Sequence, residues 1–251
     1  MYSYAFISRL NTGVFPHGFY KAMCLSVISN LKTVISNLKR SVFGCNFDIS
    51  MMDARVTSHE DGVFIEALDA TEGWIPLFGA GPDRIFVTMP TCWPYDDRSD
   101  PRMGDVNVVN VAADLLLGKR KFSDAVTLAE NDRICSIPSL TFQCQATDRN
   151  GNVLRFTPHI GWEYLEKPPF AVMSNFSPFI GDGMGTDRFE TASSILQEAD
   201  DFSVMDCFNL LIRCRMTSPP TRVSLVFTPD DGTVYWCPDG NINLIESVKI
   251  K

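Results

Sequence analysis

One cysteine near the start of the chain, Cys24, could carry two reactive groups on a single residue. It follows Met23 and opens the apolar, β-branched stretch 23–28, which predicts the start of a strand. If Cys24 became the first residue of a mature chain, its thiol would be a nucleophile. Its free α-amine, with an ordinary pKa of about 8, could then take the thiol proton without a histidine. This pairing predicts hydrolysis of an amide bond, and only in a chain from which residues 1–23 are absent.

The segment before Cys24 does not have the pattern of a signal peptide, because polar and charged residues interrupt its apolar stretches. We predict that residues 1–23 form an N-terminal extension or pro-segment. Two interpretations stay open: the segment is removed during maturation, or Met23 is the true initiator and its routine removal exposes Cys24. Residues 24–251 are predicted to form a single domain, since no low-complexity linker divides them.

Composition excludes several classes of protein. Of the 251 residues, 45% are hydrophobic and 21% charged, the balance of a soluble globular protein. No apolar run reaches the roughly 18 residues that a membrane-spanning helix needs. The net charge of −8 argues against nucleic-acid binding, which requires a concentrated basic face.

The eight cysteines and three histidines lack metal-ligand spacing, so we expect neither a structural zinc site nor another cofactor. In a chain of this length, scattered cysteines indicate buried thiols more often than disulfides. We therefore expect a reducing, cytoplasmic location.

The order of predicted elements is strands, a helix pair, strands, a second helix pair, and strands. Asn150-Gly151 lies between two β-type runs and predicts a tight hairpin, and Ser203 with Asp206 resembles a capping box at a helix start. Hairpins imply largely antiparallel sheets. We predict an α+β fold, a four-layer α-β-β-α sandwich of two stacked sheets with helices outside.

Six blocks of sequence resemble the choloylglycine hydrolase and penicillin V acylase family, also called linear amide C–N hydrolases, a group of N-terminal-nucleophile hydrolases. The resemblance extends from Met23 to the C-terminus. It is carried by residues 23–24 (MC), 43–48 (FGCNFD), 89–95 (MPTCWPY), 172–176 (VMSNF), 186–192 (TDRFETA) and 220–224 (PTRVS).

The resemblance implies a role for four residues. Cys24 matches the nucleophile, which forms a thioester that water hydrolyses. Asp48 matches an aspartate expected to hydrogen-bond the α-amine. Asn175 matches an asparagine whose side-chain N–H groups would stabilise the oxyanion. Arg188 matches an arginine expected near the nucleophile, where a cation favours the thiolate, whereas Arg222 is interpreted as structural.

The sequence departs from the family pattern at two positions. Cys45 stands where an arginine is usual, and Gly81 stands where an oxyanion asparagine is usual, so Gly81 could offer only its backbone N–H. Segment 176–187 is also short, which implies an open site and disfavours a bile-acid amide. If their loops converge, Trp74, Trp93 and Trp162 would wall the substrate pocket.

The leading hypothesis is an amidase acting on a small linear N-acyl substrate, with no nucleic-acid or membrane partner. Resemblance implies a homo-oligomer, as in the family's tetramers. One alternative is a weakened or inactive relative that serves as a binding or structural protein. Another is a conventional cysteine hydrolase with His59 or His159 as base, although no Cys-His signature surrounds either residue.

Overall fold

The structure is a computed structural model that describes residues 23–31, 41–49, 53–69, 73–92, 102–137 and 141–251. Predictions about residues 1–22 and Trp93 lie outside this part of the chain. Strands and helices are numbered below in chain order.

The first sheet has six strands, and every neighbouring pair is antiparallel. In spatial order they are β12 (Phe170–Met173), β1 (Met23–Ser29), β2 (Val42–Asp48), β15 (Thr221–Thr228), β16 (Thr233–Pro238) and β17 (Glu246–Lys249). The central strand β2 is buried along its whole length, so both faces of this sheet are covered.

The second sheet has seven strands and is also antiparallel throughout. In spatial order they are β11 (Gly161–Leu165), β10 (Val153–Thr157), β9 (Cys144–Thr147), β6 (Phe86–Thr88), β5 (Gly73–Ala80), β4 (Gly62–Asp69) and β3 (Ala54–His59). Two short pairs lie outside the sheets: β7 (Val106–Asn107) with β8 (Ile134–Cys135), and β13 (Phe176–Ser177) with β14 (Asp182–Gly183).

The helices come in two pairs, one against each sheet. They are α1 (Val108–Leu116), α2 (Phe122–Glu130), α3 (Thr186–Glu198) and α4 (Val204–Arg213), with 3-10 turns at Pro82–Arg84 and Ile242–Leu244. Helices α3 and α4 contact the first sheet, and α1 and α2 contact the second. The predicted α-β-β-α sandwich is confirmed.

Aromatic side chains join the two sheets across the central core. The rings of Phe47 and Phe78 lie 5.1 Å apart in an edge-on arrangement, and those of Phe43 and Phe86 lie 5.9 Å apart. A separate apolar cluster, which includes Leu25 on β1, packs the outer face of the first sheet against α3 and α4. The start of β1 is therefore enclosed between packed layers.

Candidate active site

The β1–β2 ladder places Cys24 beside the end of β2. Met23 pairs with Asp48 and Cys24 pairs with Phe47, so a residue near the start of one strand meets residues at the end of its neighbour. Cys24 is 1% exposed and Asp48 is completely buried. The Cys24 thiol and the Asp48 carboxylate thus lie at the same end of two neighbouring strands of the first sheet.

Asn175 reaches the same end of the strands from the other side of β1. It follows β12, which pairs antiparallel with β1. Its side-chain Oδ1 accepts a hydrogen bond from the backbone N of Cys24 at 2.9 Å. Its Nδ2 donates to both the carbonyl oxygen and the hydroxyl of Thr91, at 2.7 Å each. The side chain is therefore held from both ends.

Arg188 connects the other three residues. It lies in the first turn of α3, just after Gly185, whose left-handed conformation (φ 87°) turns the chain into the helix. Its Nη1 donates to Asp48 Oδ2 at 2.8 Å, and its Nη2 donates to Asn175 Oδ1 at 2.7 Å and to the Cys24 carbonyl at 3.4 Å. Arg188 is only 4% exposed, so the charge is buried and its main compensation is Asp48.

The sequence did not identify Thr221 as a member of this cluster. Thr221 begins β15 opposite Asp48, and its hydroxyl donates to Asp48 Oδ1 at 2.6 Å. The signal that could have found it was its place in the 220–224 block, next to Arg222. Arg222 itself lies on β15 and is exposed.

Burial controls the protonation of this cluster. It raises the pKa of the Cys24 thiol, and the negative charge of Asp48 adds to that effect, while Arg188 opposes it. Burial also raises the pKa of Asp48 to about 7, although Arg188 and the Thr221 hydroxyl both favour the charged form. With Met23 attached, the thiol is therefore held in its protonated form.

Two hydrogen bonds differ from those expected of the predicted residues. The backbone nitrogen of Cys24 donates to Asn175 rather than to Asp48, whose oxygens are bonded to Arg188 and Thr221. The Asn175 amide donates to Thr91, so its N–H groups are directed into the protein. All four predicted residues are nevertheless brought together.

The expected contribution of Gly81 is wrong. Gly81 follows β5, at the end of the strands where Arg84 contacts the turn after β15. Cys24 lies at the opposite end of the strands. Its N–H donates to the carbonyl of Ile85. The second sheet instead reaches the site through the residues after β6, where Thr91 receives the Asn175 amide.

The proposed pocket wall is also wrong for the two tryptophans that the structure describes. Trp74 lies on β5 and Trp162 on β11, and three strands separate them in the second sheet. The guanidinium of Arg55 lies 4.2 Å from the Trp74 ring centroid, whereas Trp162 lines a separate cleft. These side chains do not converge.

Neither histidine considered as a base is paired with Cys24. His59 lies at the end of β3 and contacts the Phe64 ring, while His159 shares a hydrogen bond of 3.1 Å with Asp132. The charged groups that act on the Cys24 thiol are Asp48 and Arg188. This geometry does not support the conventional cysteine–histidine alternative.

Within the described ranges, no group of three or more histidine, cysteine or acidic residues is placed to hold a metal ion. In the same part of the chain, no helix is long and apolar enough to cross a membrane.

Solved structures share this fold. Penicillin V acylase from Agrobacterium tumefaciens superposes with a TM-score of 0.57 and 13% identity, over 86% of this chain and 83% of that chain. Two variants of conjugated bile acid hydrolase from Clostridium perfringens give TM-scores of 0.61 and 0.56, at 11% and 13% identity. They cover 90% and 92% of this chain, and 92% and 85% of their own.

No protein-family model matches the sequence, and no curated protein does. The solved structures show that this chain has the N-terminal-nucleophile hydrolase fold. The resemblance drawn from six short blocks is confirmed at the level of the fold.

Proposed function

We propose that the protein is a cysteine N-terminal-nucleophile amidase that cleaves a linear carbon–nitrogen amide bond of a small N-acyl substrate. The observation that carries the proposal is the convergence of Cys24, Asp48, Asn175 and Arg188. They belong to segments far apart in sequence. Asn175 accepts a hydrogen bond from the Cys24 nitrogen, and Arg188 donates to the Cys24 carbonyl. The charges of Asp48 and Arg188 shift the pKa of the Cys24 thiol in opposite directions. Such clustering of buried ionisable groups is typical of functional sites.

The chemistry requires a chain that begins at Cys24. The freed α-amine takes the proton from the thiol, and the sulfur attacks the amide carbonyl carbon. Collapse of the tetrahedral intermediate breaks the carbon–nitrogen bond, and the leaving amine receives the proton. Water then hydrolyses the thioester, releasing the acid and restoring the thiol.

The other residues orient and polarise these groups. Asn175 Oδ1 holds the nitrogen of Cys24, and that contact would position the α-amine. Arg188 opposes the rise in the thiol pKa and, with Asp48, forms a buried ion pair that fixes the guanidinium. We assign Asn175 to orientation of the amine in place of the oxyanion role that resemblance implies, because its Nδ2 donates to Thr91.

The substrate class is proposed from the neighbours and from one loop. The neighbours act on penicillin V and on conjugated bile acids, according to their names, so a small N-acyl compound is a reasonable class. Between Asn175 and Arg188 the chain forms only the short β13–β14 pair. Such a short segment supports a more open site than a bile-acid amide would need.

The maturation, domain organisation and location are parts of the same proposal. Residues 1–23 would be absent from the active protein, and residues 24–251 would form one catalytic domain that assembles into a homo-oligomer. All eight cysteines are free, as expected in the reducing cytoplasm.

A second candidate function is a non-catalytic binding or structural protein. One observation favours it: Cys45, which replaces the usual arginine, is completely buried, and burial raises its pKa. Cys45 therefore supplies neither a cation nor a hydrogen-bonding fork to a substrate.

The test compares the full chain with a protein that begins at Cys24. Both are incubated with N-acyl amino acids, penicillin V and conjugated bile salts, and with a thiol-reactive lactam probe. We expect hydrolysis and selective labelling only from the shorter protein, with loss of both in Cys24→Ala and retention in the matched buried-cysteine variant Cys144→Ala. Activity of the full chain with its N-terminus intact, shown by intact mass, would refute the mechanism. Inactivity of both proteins, with no labelling, would favour the non-catalytic alternative.

A further inference from the structure

Gln143 lies just before β9 in the second sheet, completely buried and directed at the backbone around Asn175. Its Nε2 donates to the Ser174 carbonyl at 2.5 Å and to the Phe176 carbonyl at 3.2 Å. These carbonyls belong to the residues on either side of Asn175. Both N–H groups of one amide are thus used to fix the backbone on which Asn175 is carried.

The orientation of the Gln143 amide is determined by a second residue. Thr157, at the end of β10, donates its hydroxyl to Gln143 Oε1 at 3.3 Å. If the amide were turned over, its oxygen would face the Ser174 carbonyl and both donors would be lost. Thr157 is itself buried, so water does not compete for this contact.

Gln143 and the Thr91 acceptor belong to one backbone unit. The Gln143 N–H donates to the Pro90 carbonyl at 2.9 Å, and Thr91 forms a β-bridge with Phe142. Because Thr91 receives the Asn175 amide, this unit holds Asn175 both by its side chain and by its flanking carbonyls. Together with Arg188, which donates to Asn175 Oδ1, it therefore determines where that oxygen points.

We infer that Gln143 is a positioning residue for Asn175, and that Thr157 keeps its amide in the required orientation. This inference rests on the proposed function, because Asn175 Oδ1 is the contact that would orient the α-amine of Cys24. The hydrogen bonds of the Gln143 amide go to Ser174, Phe176 and Thr157, and not to Cys24 or Arg188. Its effect on the reaction would pass entirely through the position of Asn175.

The chain contains a matched control in Gln145, two residues further along and also completely buried. Its Nε2 donates to the Ser26 hydroxyl at 2.8 Å, and not to the carbonyls on either side of Asn175 that Gln143 binds. The variants Gln143→Met and Gln145→Met remove the same amide from the same region. A difference between them separates positioning of Asn175 from general loss of a buried hydrogen bond.

In a protein that begins at Cys24, we expect Gln143→Met to lower kcat by roughly 10- to 100-fold with little change in KM, because misplacement by about 1 Å is enough for such a loss. Gln145→Met should leave kcat within about threefold of the wild type. Gln143→Glu should retain more activity at acid pH than at alkaline pH, since only the protonated carboxyl can donate to a carbonyl. Thr157→Val should lower kcat less than Gln143→Met does.

Crystal structures of the two methionine variants test the inference independently of activity. We expect the distance from Asn175 Oδ1 to the Cys24 nitrogen to lengthen in Gln143→Met and to stay near 2.9 Å in Gln145→Met. An unmoved Asn175, or equal losses of kcat in both variants, would overturn the inference. If the wild-type protein proves inactive, the proposed function fails, and the crystal structures alone decide the role of Gln143.

Discussion

Arg188 and Asp48 form an ion pair of 2.8 Å in which both side chains are almost completely excluded from water, at 4% and 0% exposure. The pair joins the first turn of α3 to the end of β2. Removing one member of a buried pair leaves the other charge without compensation, which costs more than the pair itself contributes. Loss of either charge should therefore be strongly destabilising at the place where the candidate reactive groups lie.

Replacement of Arg188 by Met should lower the free energy of unfolding by about 3 to 5 kcal/mol, because Asp48 would remain buried without its cation. The measurement is urea denaturation at pH 8. Arg102→Met is the control, since Arg102 and Asp132 form a pair of 2.7 Å at 56% and 57% exposure. Such an exposed pair contributes little, because water screens it. Equal losses in the two variants would contradict the assignment.

The pKa of Asp48 predicts how stability depends on pH. Its folded-state value of about 7 lies above the ordinary 3.8, so between these values the folded protein holds a proton that the unfolded chain releases. The free energy of unfolding should therefore decrease as pH rises through this window, by at most about 4 kcal/mol from this residue.

The Asp48→Asn variant cannot titrate at this position, so it should lose less stability than the wild type between pH 4.5 and 8. Urea denaturation of both proteins at the two pH values measures the difference. At pH 8 the variant should have a lower free energy of unfolding than the wild type, since Arg188 loses its anion. Parallel dependence on pH in the two proteins would show that Asp48 titrates at its ordinary value.

Introducing the asparagine that the family pattern places at Gly81 should not increase activity. A Cβ at position 81 would lie 2.4 Å from the carbonyl oxygen of Leu116, so the backbone would have to move. We expect Gly81→Asn to lower the free energy of unfolding by about 1 to 3 kcal/mol, as overpacking does.

The control for this variant is Gly73→Asn. A Cβ at Gly73 would meet nothing within 4 Å, and asparagine tolerates the left-handed conformation found there (φ 80°). Its stability should change by less than about 1 kcal/mol. A gain of hydrolytic activity in Gly81→Asn would show that our placement of this residue far from Cys24 is wrong.

Gly44 determines how closely α4 packs on the first sheet. A Cβ at this position would lie 2.4 Å from the Sγ of Cys207 and 3.3 Å from a methyl carbon of Leu211. Gly44→Ala should therefore cost about 1 to 3 kcal/mol of stability. In a Cys207→Ala background the same substitution should cost less, because the overlapping sulfur is gone. A double-mutant cycle by denaturation measures this coupling, and additive effects would argue against close contact.

Much of the fold could be predicted from local signals. The Asn150-Gly151 turn joins β9 to β10, and Gly151 has the expected positive φ of 84°. Both hydrogen bonds of the capping box at the start of α4 are present. The Ser203 side chain accepts from the Asp206 backbone N–H, and the Asp206 side chain accepts from the Ser203 backbone N–H. These features depend only on residues within four positions of one another.

Strand β5 could not be predicted from its own sequence, for an equally local reason. It contains Gly73, Pro76 and Gly79, which disfavour strands in isolation, and its pairing with β4 passes through a bulge. The sheet stabilises this segment through neighbours that are remote in sequence. The same cause explains the error at Gly81. Each strand reverses the direction of the chain, so an overlooked strand places the next turn at the wrong end of the sheet, here at the Cys24 end.

The candidate site was found by resemblance, which identified Cys24, Asp48, Asn175 and Arg188. Their supporting residues were not found, because Gln143 lies 31 positions from Ser174, and Thr221 lies 173 positions from Asp48. Gln143 has no motif around it, and the 220–224 block drew attention to Arg222 instead of Thr221. Only the register of the sheets shows which partner it meets.

The hydrogen bond from the Cys24 nitrogen to Asn175 Oδ1 is made while that nitrogen is still part of a peptide. A chain that began at Cys24 would present an ammonium or amine to the same oxygen, and charge-assisted hydrogen bonds are the stronger kind. Cutting the chain would then tighten this corner of the protein instead of loosening it. In the proposed maturation β1 would lose Met23 and its pairing with Asp48, while residues 24–29 would keep their partners on β2.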